Sequence, residues 1–103
     1  MSGKPTVLLA LDLGARACKA MLVRQDGSVL ADYVEPCALE SPQPGWSEQD
    51  PEVIWGAARA AIRSLTANET TRISGLALTA SMYSLLAVDV QGRPVTRVMT
   101  WAD

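Results

Sequence analysis

Hydrophobic residues in the first part of the chain fall into three short runs separated by turn-forming residues. Residues 6–13 form a nearly unbroken apolar run, which is typical of a strand buried on both faces at the centre of a sheet. Residues 17–24 and 29–37 form the next two runs. Gly14 separates the first two, and an Asp-Gly pair at 26–27 suits a two-residue hairpin between the others. The pattern predicts an antiparallel meander of three strands.

The spacing of apolar positions then becomes helical. Residues 41–45, with two prolines and a glycine, are predicted to form a loop. Asp50 suits the N-cap of a helix, and Pro51 suits its first position, where a missing N–H costs nothing. The helix is predicted to run to about Leu65 and to be ended by residues 68–71. Its apolar face would consist of residues that recur at helical spacing, namely Ile54, Ala58, Ala61, Ile62 and Leu65.

Three more apolar stretches follow the helix. Residues 73–79, 85–90 and 95–101 are predicted to be extended, with a turn at 91–94. The long helical connection lets the strand at 73–79 lie parallel to the first strand. The predicted fold class is therefore α/β, a mixed sheet with one main helix. One helix covers only one face of a sheet, so we expect an incomplete domain that forms a homo-oligomer through its exposed apolar face.

Composition restricts the function without identifying it. The chain has 103 residues, enough for one small domain, and its 49% hydrophobic and 19% charged residues are ordinary for a soluble globular protein. The net charge of −2 and the scattered distribution of nine Lys and Arg argue against a nucleic-acid partner. The sequence has neither an apolar run of about 18 residues nor a signal peptide, so a cytoplasmic location without membrane contact is expected.

The residue types that are rare or absent also exclude some chemistry. There is no histidine, so a zinc site or a self-contained nucleophile–base triad is disfavoured. The two cysteines, Cys18 and Cys37, lie in apolar-rich segments without metal-like spacing. We predict two buried, reduced thiols.

Four stretches of the chain resemble the N-terminal part of FGGY carbohydrate kinases, and together they extend from about Thr6 to Asp103. Residues 11–20 contain an Asp-x-Gly turn followed by a lysine, residues 44–51 read PGWSEQDP, residues 81–89 read SMYSLLAVD, and residues 100–103 read TWAD. The resemblance implies a ribonuclease-H-like (actin-like ATPase) fold and transfer of the γ-phosphate of ATP to a hydroxyl of a sugar or sugar acid. The stretch from 81 to 103 looks closest to gluconate kinases, so gluconate is the expected substrate.

The resemblance implies that the first motif binds ATP phosphates and Mg²⁺. Asp12 would hold Mg²⁺, directly or through water, because phosphoryl transfer requires the negative charge of the phosphates to be neutralised. Gly14 would let backbone amides approach a phosphate, and Lys19 would reach it from the second strand. The alternatives are that Asp12 only caps a turn, that Gly14 is a plain hairpin glycine and that Lys19 is a solvated charge. The family usually has Thr or Ser after the glycine, whereas this chain has Ala-Arg-Ala; Arg16 either pairs with phosphate oxygens instead, or the loop has lost this role.

The resemblance also implies a sugar site near the end of the chain. Met82 and Tyr83 would contact the sugar, with core packing as their alternative. Histidine commonly follows the methionine in the family. Tyrosine keeps a ring and a hydrogen-bonding tip, but unlike histidine it cannot take up and release a proton near neutral pH. Trp101 and Asp103 would line the same site.

The PGWSEQDP motif is interpreted as structural. Asp50 would cap the helix, Trp46 would be an apolar plug over the sheet, and Glu48 would have no role in the chemistry.

Members of the family are several times longer than this chain. In them the catalytic base, an aspartate, and most of the nucleotide site come later in the sequence. Residues 1–103 are therefore expected to be a truncated N-terminal part of the first domain, without turnover of its own. A stand-alone non-catalytic binding module, or an interaction piece of another actin-like ATPase, are the alternative interpretations.

Overall fold

Four strands form a mixed sheet, and one helix packs on one of its faces. The computed structural model describes residues 6–67 and 72–101. In chain order the elements are β1 (Thr6–Leu13), β2 (Ala17–Arg24), β3 (Val29–Pro36), β4 (Glu48–Gln49), α1 (Pro51–Thr66), β5 (Arg72–Ala80) and β6 (Val98–Met99). The sheet has the strand order β3-β2-β1-β5, and β4 and β6 form a separate two-stranded ribbon. The predicted mixed sheet with one main helix is confirmed.

The strand pairing agrees with the predicted meander. β1 runs antiparallel to β2, and β2 runs antiparallel to β3. β5 pairs in parallel with β1, as the helical connection led us to expect. Alternate residues of the first two strands point toward α1 and are buried, namely Val7, Leu9, Leu11, Cys18, Ala20 and Leu22. Both cysteines are free and buried, as predicted.

The turn between β2 and β3 is longer than predicted. Arg24 and Ser28 close it, with the Arg24 N–H donating to the Ser28 carbonyl over 2.8 Å. Three residues therefore form the loop, and only its last, Gly27, has positive φ, at 88°. The Asp26 carboxylate accepts a hydrogen bond from the Ser28 N–H at 2.9 Å, and hydrogen bonds from Ser28 lower the pKa of this carboxyl. The prediction of a two-residue turn was wrong because Asp26 turns the chain through its side chain, not through a left-handed backbone.

Helix α1 begins as predicted. The Asp50 carboxylate accepts a hydrogen bond from the Glu52 N–H at 2.9 Å, and Pro51 takes the first helical turn. Thr66 is the last helical residue, and the segment 68–71 predicted to end the helix lies outside the described residues. The helix buries small side chains, which let it approach the sheet closely: Ala57, Ala58 and Ala61, with Ile62 and Leu65 partly buried beside them.

The helix covers only part of one sheet face. It packs over β2 and β3, while β5 at the sheet edge has no helix against it. Leu76 and Leu78 share the register of Leu9 and Leu11, yet they are 61% and 62% exposed. On the opposite face Leu8 is also exposed, so the prediction that β1 is buried on both faces was wrong: α1 covers only one of them. The exposed apolar sheet surface predicted from the single helix is confirmed, and it extends to the helix side of β5.

The chain after β5 is less regular than predicted. Strands at 85–90 and 95–101 were expected, but β6 has two residues, and the other pairing consists of isolated bridges, Leu85–Met99 and Val88–Pro94. The turn at 91–94 is present, with Asp89 accepting from the N–H groups of Gln91 and Arg93. The prediction of longer strands was wrong because Val88, Val90 and Val95 are exposed and provide no buried face to hold a strand in the sheet. The buried Val98, by contrast, lies in β6.

The β4–β6 ribbon was not predicted. Arg97, just before β6, forms ion pairs with Glu40 and with Glu48, the latter at 3.1 Å. Strands of two residues are too short to give a period in the sequence, so this pairing depends on contacts between distant segments. Among residues 6–67 and 72–101, no helix is both long enough and apolar enough to cross a membrane.

Candidate functional site

The carboxyl end of β1 brings three polar side chains together. Asp12 is in register with Lys19 on β2 and with Thr79 on β5. Because Leu11 and its alternate neighbours point toward α1, these three residues lie on the opposite face of the sheet. They line a cleft of about 290 Å³ with Ala10, Leu11, Met21, Ala77 and Leu78. The structure thus brings the predicted Asp12 and Lys19 to one place.

Thr79 was not among the residues predicted for the site. The signal that could have found it is its position: it ends the apolar run at 73–79, and parallel neighbours end at the same edge of a sheet. Its hydroxyl adds an oxygen ligand or a hydrogen-bond donor to the cleft. The loop after Gly14 lacks such hydroxyls, so Thr79 supplies one from another strand.

The turn between β1 and β2 is tight and requires glycine for steric reasons. The Gly14 N–H donates to the Ala17 carbonyl at 3.0 Å. A Cβ atom on Gly14 would lie 2.8 Å from that carbonyl oxygen, which is closer than real Cβ contacts allow. The amides available to a phosphate would therefore be those after Gly14, in the exposed segment that contains Arg16.

The same turn is held from outside by two hydrogen bonds. The Ala15 carbonyl accepts from the Gln49 side-chain amide at 2.7 Å, and the Arg16 carbonyl accepts from the Cys37 N–H at 2.8 Å. The carbonyl groups at the tip of the turn therefore accept hydrogen bonds from other parts of the protein. Arg16 itself is exposed, so its guanidinium is accessible to a ligand.

The cleft fits a magnesium–phosphate group better than a metal held by protein alone. Within the described ranges no group of three or more His, Cys, Asp or Glu residues is placed to hold a metal ion. Mg²⁺ is usually bound through one or two carboxylates together with waters and substrate phosphates, so Asp12 alone suits that role. Lys19 provides positive charge beside it, whereas the predicted Arg16 does not line the cleft.

Met82 and Tyr83 follow β5 directly and are exposed to solvent. The Ser81 N–H donates to the Leu13 carbonyl at 3.0 Å and ties this segment to the end of β1. Tyr83 is 84% exposed and has φ of 59°, a left-handed conformation that is uncommon for an aromatic residue. Core packing of Met82 and Tyr83 among the described residues, the alternative interpretation, is therefore wrong.

Trp101 lies on the segment that leaves β6. The antiparallel bridge between Leu85 and Met99, with N–H to O distances of 2.9 Å in both directions, sets this segment beside the one that follows Tyr83. Trp101 is exposed, and neither it nor Met82 nor Tyr83 lines the cleft around Asp12. Asp103 lies outside the described residues.

The PGWSEQDP motif is structural in two of its three predicted roles. Asp50 caps α1, and Glu48 lies in β4 with an ion pair to Arg97. The predicted plug is wrong: Trp46, which follows a turn in which Gly45 has φ of 84°, is 45% exposed and so does not seal the sheet. The motif's buried polar residue is Gln49, which the sequence analysis did not single out.

Comparison with known proteins agrees with this architecture. The profile of the FGGY family of carbohydrate kinases, N-terminal domain, matches residues 7–103. The chain is 32% identical over 96 residues to the xylulose kinase of Klebsiella pneumoniae, covering 92% of this chain and 20% of that protein. It is 31% identical over 97 residues to the gluconokinase of Bacillus subtilis (strain 168), covering 93% of this chain and 19% of that protein.

The fold is shared with solved sugar-kinase structures. The crystal structure of gluconate kinase from Lactobacillus acidophilus superposes with a TM-score of 0.89 at 26% identity, covering 95% of this chain and 20% of that one. Such kinases have an actin-like ATPase fold, so the predicted fold class is confirmed. The chain spans about a fifth of the length of the curated relatives it matches.

Proposed function

The chain belongs to the FGGY family of carbohydrate kinases, and on that premise we propose that it is the N-terminal part of an ATP-dependent kinase. The reaction would transfer the γ-phosphate of ATP to a hydroxyl of a sugar or sugar acid. The observation that carries the proposal is the register of Asp12, Lys19 and Thr79 in one cleft at the carboxyl end of β1. The protein would work in the cytoplasm, where ATP is supplied.

The roles of the site residues follow from what phosphoryl transfer requires. Catalysis of this reaction depends on positioning and on neutralising phosphate charge. Asp12 would hold Mg²⁺ through a water ligand or directly. Lys19 and Arg16 would neutralise phosphate oxygens, Arg16 in place of the hydroxyls that the family usually has after the glycine. Gly14 would keep the turn tight enough for the following amides to face the phosphate.

Gluconate is the proposed substrate within the family. Support comes from the residues between 81 and 103 and from the similarity to gluconokinase. The similarity to xylulose kinase makes xylulose the substrate to compare it with. Met82, Tyr83, Trp101 and Asp103 would contact the sugar acid. Tyr83 would offer its phenolic O–H as a hydrogen-bonding group to a hydroxyl of the sugar acid. The kcat/KM values of the protein carrying this domain for gluconate, xylulose and glycerol test this; a higher value for xylulose or glycerol than for gluconate contradicts it.

The 103-residue chain by itself is proposed to bind without turning over. It spans about a fifth of its relatives, and the base that takes the sugar proton is expected in the sequence that such relatives have beyond this region. ATP-dependent formation of gluconate phosphate by the purified chain would contradict this.

The phosphate site is tested on the chain itself with a matched pair of variants. Magnesium ATP added to the ¹⁵N-labelled chain should shift the amide resonances of residues 14–19 and of Thr79. Asp12→Asn, which removes the proposed magnesium ligand, should abolish the difference between ATP with and without Mg²⁺. Asp26→Asn, in the turn after β2 and at the opposite end of that strand from Lys19, makes the same charge change away from the cleft and should leave the shifts unaltered. Equal effects of the two substitutions, or shifts outside the cleft, would contradict the site.

A further inference from the structure

Gln49 is a buried polar residue that lies beside the proposed phosphate site without belonging to it. Its side chain is on β4, its residue is 4% exposed, and its Nε2 donates to the Ala15 carbonyl at 2.7 Å. A polar side chain is seldom buried to this extent unless it is hydrogen-bonded, since burying an unpaired amide is unfavourable. The bond joins residues 34 positions apart in the sequence, so it connects the turn between β1 and β2 to the distant strand β4.

The strand that carries Gln49 is also joined to the proposed sugar segment. Gln49 pairs with Val98 across the ribbon, and Val98 is buried. Two residues further, the buried Thr100 donates its N–H to the Ser47 carbonyl at 3.0 Å and its hydroxyl to Ser47 Oγ at 2.7 Å. Trp101 comes next and is exposed. The ribbon therefore contacts the turn at residues 14–17 through Gln49 and leads directly into the segment that carries Trp101.

We propose that Gln49 is a positioning residue, whose amide fixes the turn at residues 14–17 at a set distance from the segment that carries Trp101. The inference rests on the proposed kinase function, in which phosphate and sugar must be held in one geometry for transfer. The residue touches neither ligand and acts through the Ala15 carbonyl. Through this hydrogen bond the short β4–β6 ribbon, rather than the main sheet, would set the position of the turn relative to the segment that carries Trp101.

The substitution Gln49→Glu tests this with little change in size. An ionised carboxylate cannot donate to the Ala15 carbonyl, whereas a protonated carboxyl can. Burial raises the pKa of the introduced carboxyl, so the neutral form should return as the pH is lowered from about 8 to about 5. Hydrogen-exchange protection factors of the Gly14 and Cys37 amides should fall about tenfold at the higher pH and recover at the lower one. The same substitution at the exposed Gln43 should leave them unchanged at both values.

The second readout is the ribbon. Amide resonances of Thr100 and Trp101 should shift in Gln49→Glu with the same pH midpoint as those of Gly14 and Ala15. If the resonances of Gly14 and Ala15 changed with pH and those of Thr100 and Trp101 did not, the proposed link between the two sites would be overturned. A loss of protection that does not depend on pH, or that extends equally to the core amides of Leu9 and Leu22, would reduce Gln49 to a residue that only stabilises the fold.

A measurement on the unmodified chain covers the case in which the variant does not fold. One Nε2 hydrogen of Gln49 should exchange slowly and show scalar coupling across the hydrogen bond to the Ala15 carbonyl carbon. Rapid exchange without coupling would overturn the proposal. None of these experiments contains ATP, so their outcome does not depend on the proposed kinase function. That function would be contradicted separately, by the absence of magnesium-ATP shifts in the unmodified chain.

Discussion

Gly14 is required by a contact with one backbone atom, and the chain offers a control for that requirement. A methyl group at Gly14 would meet the Ala17 carbonyl, whereas a Cβ at Gly56 on the exposed side of α1 meets nothing within 4 Å. Gly14→Ala should lower the free energy of unfolding by about 1–3 kcal/mol because the turn must open. Gly56→Ala should raise it by about 0.5–1 kcal/mol through better helix propensity. Urea unfolding of the two variants measures both changes; effects of the same sign would contradict the steric argument.

The two buried cysteines predict how stability depends on pH. Burial raises the pKa of the Cys18 thiol, with Cys37 the next cause, and burial also raises the pKa of Cys37. The fold therefore favours the neutral thiols. Their contribution is complete below the unfolded thiol pKa, about 8.5, and is lost as the pH rises through the higher folded values.

Urea unfolding from neutral pH to about pH 10 should show this loss. The double variant Cys18→Ala with Cys37→Ala should lose less stability across the same range, since nothing remains there to ionise. An identical alkaline loss in both proteins would assign it to other groups, and rapid alkylation of the native thiols at neutral pH would contradict their burial.

At the residue scale the sequence predicts charged site residues better than neutral ones. Asp12 stands out because a charge at the end of an apolar run needs an explanation, and Lys19 was singled out by the resemblance of its motif; both line one cleft. Gln49 and Thr79 do not stand out, since neutral polar residues are common on surfaces. The roles of these two depend on tertiary contacts: a register with β1 in one case and a hydrogen bond to Ala15 in the other.

Among the elements, α1 has a start that a single substitution can test. Asp50→Ala removes the side-chain oxygen that accepts from Glu52 N–H and should lower the free energy of unfolding by about 1 kcal/mol. Asp50→Asn keeps an accepting oxygen and should cost a few tenths of that amount. Thermal unfolding followed by circular dichroism measures the order; an asparagine variant as unstable as the alanine one would mean that the charge, not the cap, matters.

Elements that bury an apolar face were predictable, and elements without one were not. The alternation in β1 and β2 and the helical spacing in α1 reflect burial against each other, so the sequence contains the pattern. Residues 85–95 contain five valines and leucines, but Val88, Val90 and Val95 are exposed. Their conformation is set by hydrogen bonds to Asp89, which local hydrophobicity does not reveal.

On the scale of the whole molecule, uncovered apolar surface should drive self-association. Leu76, Leu78 and Trp55 are exposed beside one another along a groove between α1 and β5, and residues 73–80 carry no charge that would oppose pairing of the sheet edge. We expect the isolated chain to form dimers or larger species at high concentration.

Sedimentation velocity over a range of concentrations measures this association. Leu76→Glu should weaken it, because it places a charge in the groove. Val90→Glu introduces the same charge at a turn residue that is 97% exposed, and it should have no effect. A monomer at every concentration, or equal effects of the two substitutions, would contradict an interface at β5.

The parallel pairing of β1 with β5 also has a consequence in time. Thr6 pairs with Arg72, so β1 finds this neighbour only after β2, β3 and α1 have been made. Hairpins close within microseconds, whereas a ribosome adds about 5–20 residues per second. For several seconds of synthesis the central strand of the sheet therefore has one side complete and the other without its partner. Those seconds, rather than the finished protein, are when the nascent chain has most need of a chaperone.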